Sequence, residues 1–198
     1  IIGIRYWKRF NFGERALLVL FAYDIISVVI GAYLAIQYRN NLIMSNIYAL
    51  VEITTVTFFF KQFISDNSAR KLLNWFLVIF AIVHIATTVL HFGIHSNNPA
   101  SSVIKGLYII ALSTISIGYL FNKHNQWYRK GSFTILVGWL SFYIFNIGYL
   151  TMSYWLIESN SKFTLPLHQF LTYSFYVMSL LFTIGFYLIS KEEREQSL

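Results

Sequence analysis

Six ionisable side chains fall inside long apolar runs of this sequence: Asp24, Glu52, His84, His91, Lys105 and His168. Placing such a group in hydrocarbon costs roughly 2.5–3.5 kcal/mol on insertion scales, so each needs a partner or a task. Helical periodicity groups them with other polar residues on coherent faces. Ser45, Tyr48, Glu52 and Thr55 share one face, and His84, Thr88, His91 and His95 another. Trp139, Tyr143, Asn146 and Ser153 form a third, and His168, Thr172, Tyr176, Ser179 and Thr183 a fourth. At a 1.5 Å rise per residue, Glu52, His84 and Asn146 lie about 15–16 Å from the outer ends of their runs, and Tyr176 falls at a similar level. If these faces meet, they form a polar, aromatic-rich pocket that opens outward and ends at Glu52, His84 and Asn146, with Tyr48, Tyr143, Trp139 and Tyr176 on its walls. The same residues could instead join helices through interhelical hydrogen bonds.

A lone carboxyl at midplane requires a cation or several donors to stay charged. His84, at matching depth, is the expected partner of Glu52, and a Glu–His pair could relay protons or hold a cationic group. Asp24 is deeper, about 20 Å down, where fewer groups match it. Lys105 is expected to snorkel toward the outer interface and to contact an anionic ligand there. His91-x3-His95 puts two imidazoles on one helical face, and His168 opens the last apolar run on the same side. Three histidines and a water would make a catalytic-type zinc site. Zinc is the one cofactor this pattern suggests; otherwise none is expected. The sequence has no Walker loop, no Gly-x-Ser-x-Gly and no Rossmann glycine pattern. It also has no cysteine, which excludes disulfide frameworks, Fe–S clusters and thiolate zinc sites.

The His91-x3-His95 pair resembles that of the seven-helix metal-dependent hydrolases that include the alkaline ceramidases and the adiponectin-receptor group. Those families carry the pair in their last span, with a Ser-x3-His and an Asp in earlier ones. Here the pair falls in the third span and there is no Ser-x3-His, so no site residue carries over. The general pattern is similar to that of small bacterial integral membrane proteins with six or seven spans, a likeness that implies architecture and no particular activity.

The elements that must position these residues are long apolar helices. Of 198 residues, 57% are hydrophobic and 12% charged. A soluble domain carries about 25% charged residues, so this chain has half the charge needed to coat a surface facing water. A helix crosses the hydrocarbon with roughly 20 apolar residues. Six segments qualify, at approximately 16–37, 42–63, 72–95, 102–121, 132–157 and 167–190. Segments 16–22 and 75–83 are apolar throughout, which is incompatible with the alternation of a β-barrel. Both prolines, Pro99 and Pro166, belong in or beside loops, and Pro166 suits the first turn of the sixth helix. The expected fold is therefore an all-α integral membrane protein, one transmembrane domain over 1–198. The chain begins at Ile1 rather than methionine, so an earlier span ending near Ile4 would make seven.

Lysine and arginine set the orientation. With both termini cytoplasmic, twelve of the fifteen basic residues fall on the inner side and only Arg39 and Lys162 on the outer, while Lys105 lies within a span. This bias accounts for the net charge of +7 without nucleic acid as a partner. The expected location is a bacterial cytoplasmic, or inner, membrane. Expected partners are the lipid bilayer, a small-molecule or lipid ligand, and a membrane protein or a second copy of the chain. No catalytic set is complete, so the leading expectation is a receptor-like, ligand-binding or accessory module rather than an enzyme. Two alternatives stand beside it: a zinc-dependent membrane hydrolase using His91, His95 and His168, and a proton-coupled small-solute transporter using Glu52.

Overall fold

The computed structural model describes residues 7, 10–38, 42–92, 98–123, 127, 130–158 and 164–195. Side chains are described for all of these except 35, 38, 91, 92, 151, 153–158, 164, 165, 167, 168 and 193–195. Six long helices account for nearly all of it: α1 (Phe12–Tyr38), α2 (Leu42–Phe60), α3 (Asn67–Thr87), α4 (Pro99–Lys123), α5 (Gly131–Glu158) and α6 (Thr164–Glu195). A 3-10 turn, Lys61–Phe63, extends α2, and a π turn, Thr88–Phe92, extends α3. Among the described residues there is no strand. All six helices are long and apolar enough to cross a membrane. Their free faces carry Ile25, Val29, Ile36, Leu72, Leu90 and Leu180, each more than half exposed. A water-soluble fold rarely leaves so much contiguous apolar surface uncovered, whereas lipid solvates it. The chain is a polytopic helical membrane protein.

Two compact units divide the chain, one of Phe10–Lys105 and one from Gly106 onward. The first contains α1, α2, α3 and the opening turns of α4. Its helix ends are closed by side chains. Asn11 and Glu14 form a reciprocal capping box: Glu14 N–H donates to Asn11 Oδ1 at 3.0 Å, and Asn11 N–H donates to Glu14 Oε2 at 2.9 Å. Asn11 Nδ2 also donates to Gln62 Oε1 at 2.6 Å, tying the start of α1 to the end of α2. Beside it, a Cβ on Gly13 would lie 2.9 Å from the Phe59 Cα, so only glycine lets these two backbones come this close. Asp66 caps α3 by accepting from the N–H groups of Ser68 and Ala69.

The second unit is built on α5 and α6. Gly131 and Gly138 lie seven residues apart on one face of α5. A Cβ on Gly185 of α6 would lie 2.8 Å from the Gly131 carbonyl oxygen, and one on Gly138 would lie 3.0 Å from the Phe182 ring. Close approach of this kind is how helices gain dispersion contact where lipid tails are as apolar as the side chains. Trp139 packs edge-on against Phe182, their centroids 5.0 Å apart. At one end, the Glu192 carboxylate accepts from Gly131 N–H at 2.8 Å and from Lys130 Nζ at 3.1 Å, which satisfies a free donor at the start of α5.

Candidate functional site: an intramembrane charge cluster beside a cleft

The first unit gathers the charged groups. Glu52 is the eleventh residue of α2 and Asp24 the thirteenth of α1, so each lies in the middle of its helix. Lys105, in the second turn of α4, reaches across to Glu52 and forms an ion pair, with 13% and 8% of the two side chains exposed. The expected route for Lys105, outward to the interface, is therefore not the one it takes. A carboxylate on a neighbouring helix offers charge compensation that the lipid cannot. Lys105 Nζ also sits over the Tyr48 ring, 5.9 Å from its centroid. Tyr48 lies one turn from Glu52 on α2 and directs its hydroxyl to the Asp24 carboxylate. The Tyr23 ring stacks on Tyr48 at 6.1 Å, nearly parallel. Asp24, Tyr48, Glu52 and Lys105 thus form one chain of polar contacts across α1, α2 and α4.

A cleft of about 410 Å³ opens beside this cluster. Asp24, Ser27, Gly31 and Ala32 of α1 line one wall, and Met44, Ser45 and Tyr48 of α2 line the other. Asp24 and Tyr48 close its polar end. Ala32 and Met44 lie toward the α1–α2 connection. The cleft exists because small residues recur on one face of α1, leaving room where a larger side chain would meet α2.

His84 takes partners other than Glu52. Its Nε2 lies 3.1 Å from the Asn46 carbonyl oxygen and its Nδ1 2.6 Å from Ser101 Oγ. A carbonyl can only accept, so Nε2 carries the hydrogen and donates, and in a neutral imidazole Nδ1 accepts from the Ser101 hydroxyl. The ring is buried and stacks on Phe80 at 5.7 Å. Next to it, Asn98 Oδ1 accepts from Ser101 N–H at 3.0 Å and caps α4, with Pro99 at the first helical position. Asn98 Nδ2 donates to the hydroxyls of Thr87 and Thr88 at 2.7 and 3.1 Å. His84 and Asn98 bind the end of α3 to the start of α4, which places Lys105 two turns further on.

Four further sequence candidates belong to the second unit. Trp139 and Tyr143 are 1% and 2% exposed and packed within it, Asn146 is half-buried on α5, and Tyr176 is exposed on α6. The structure brings Tyr48, Glu52 and Lys105 together and gives His84 its own polar cluster. His91 falls in the π turn and His168 in α6, but their side chains, and His95 altogether, lie outside the described residues. Among the described residues, no group of three His, Asp or Glu side chains converges as a metal site would. Asp24, one of the six ionisable residues within apolar runs, is not among the expected pocket residues, because fewer groups match its depth. Its signal was the spacing Asp24, Ser27, Gly31, which marks a small, polar face on α1. No protein-family model, curated protein or solved structure matches the chain.

Proposed function

We propose that the chain is a non-enzymatic ligand-binding module of a cytoplasmic membrane, receptor-like or accessory to a membrane partner, and that the α1–α2 cleft is its binding site. The observation that carries this reading is a cleft with a carboxylate and a tyrosine hydroxyl at its polar end, in the middle of two apolar helices. A polar cavity at that depth is expensive to keep empty of partners, and ligand sites are apolar clefts with a few convergent polar groups. The excess of lysine and arginine on one set of loops supports cytoplasmic termini, and with them a cleft whose mouth faces outward.

The lack of native cysteine makes a direct test available. A Ser45→Cys variant carries a single thiol in the cleft. In intact cells or oriented vesicles, a membrane-impermeant thiol reagent added outside should label it. A Val29→Cys control, on an exposed apolar face of α1, should stay unlabelled, because a thiol facing lipid does not ionise. Filling the cleft with Gly31→Leu should slow the labelling of Ser45→Cys. Labelling of both thiols alike, or of neither, would overturn the reading.

A further inference from the structure

We propose that the α1–α2 cleft takes a single-chain amphiphile with a protonated primary amine at one end, its ammonium on Asp24 and its hydrocarbon along Val28, Ala32 and Met44. This deepens the ligand-binding reading and rests on it.

The polar end of the cleft offers acceptors. Asp24 presents a carboxylate. The Tyr48 hydroxyl spends its hydrogen on that carboxylate and keeps its lone pairs. Ser27 Oγ spends its hydrogen on the Asp24 backbone carbonyl at 2.8 Å and likewise keeps its lone pairs. A ligand that completes these groups must donate. An ammonium brings three donors and no acceptor. An anionic carboxylate or phosphate at this position would set like charge against Asp24, which excludes fatty acids and anionic lipid headgroups.

The charge balance points the same way. Asp24 and Glu52 are two acids, and Lys105 is one cation already paired with Glu52. Among the described residues, no ion pair is made to Asp24. A cationic ligand headgroup would neutralise the cluster, and the Lys105 charge is held from it by Glu52. The rest of the cleft is apolar (Val28, Ala32, Met44). At about 30 Å³ per water-sized group, its 410 Å³ holds about a dozen heavy atoms, the size of a ten-carbon amine.

The test uses the Ser45→Cys protein in lipid nanodiscs and three probes of equal chain length: decylammonium, decanol and decanoate. Decylammonium should slow thiol labelling about tenfold more than decanol, the factor that one charge-assisted hydrogen bond confers. Decanoate should give no protection. Adding Asp24→Asn should reduce decylammonium to the level of decanol, with each protection factor taken against that variant's own probe-free labelling rate. Equal protection by decylammonium and decanol would overturn the amine and leave the cleft standing. Stronger protection by decanoate would also overturn it. If the thiol is never labelled, both readings fall.

Discussion

The two units differ in what crosses between the middles of their helices. In the unit of α1, α2, α3 and the start of α4, polar side chains cross between helices: Asn11 to Gln62, Tyr48 to Asp24, Lys105 to Glu52, His84 to Ser101. In the unit of α5 and α6, glycines let backbones meet, and aromatic rings such as Trp139 and Phe182 fill what remains. Between Gly106 and Ser190 every Lys, Arg, Asp and Glu lies in the segment 123–130 or 158–162, at or beyond a helix end. Between those limits no charged residue lies mid-helix, whereas the first unit carries Asp24, Glu52 and Lys105 within its helices.

The two ion pairs of the described residues sharpen the contrast. Lys105–Glu52 is nearly buried, whereas Lys130–Glu192 has 31% and 28% of its side chains exposed at a helix end. The largest expected effect is therefore at the first. Lys105→Ala removes the ammonium from a buried carboxylate and should cost about 3–5 kcal/mol. The double variant Lys105→Met with Glu52→Gln should recover most of that. Reversible unfolding in mixed micelles measures both, and a single variant no less stable than the double would show that the pair carries no such cost. Next comes the glycine seam of the other unit. Gly185→Leu forces side-chain atoms into the α5 backbone and should cost about 1–3 kcal/mol by the same assay. A neutral result there would mean that packing is not what joins α5 to α6. The smallest effect is at the exposed pair. Glu192→Gln should change stability by no more than about 1 kcal/mol, and raising salt should erase the difference. A loss as large as that of Lys105→Ala would remove the distinction between the two pairs.

Much of the fold was legible from residue types. The six apolar runs expected at 16–37, 42–63, 72–95, 102–121, 132–157 and 167–190 correspond to six helices that mostly begin and end a few residues away. The differences have local causes. Asp66 as a cap starts α3 at Asn67, five residues before the apolar run does, and Asn98 with Pro99 starts α4 three residues early. A capping side chain recruits polar residues into the first turn, which hydropathy alone leaves out. The site was legible in part. Glu52, Tyr48 and Lys105 stood out because each is polar within an apolar run, yet Glu52 was matched to His84 by depth.

The sequence by itself determined that this chain suits lipid, where the six long apolar helices of the described residues run, and which few side chains are costly there. Transfer free energy is a property of residue type and run length, and both can be read along a chain. Only the tertiary structure decided who pairs with whom. Depth is one coordinate; the rotation of each helix and the identity of its neighbour are two more, and they depend on contacts such as Gly13 against Phe59 and Asn98 against Thr87. Those contacts set Asp24 against Tyr48 and bring Lys105 to Glu52. They turn a short list of isolated charges into one cluster beside one cleft.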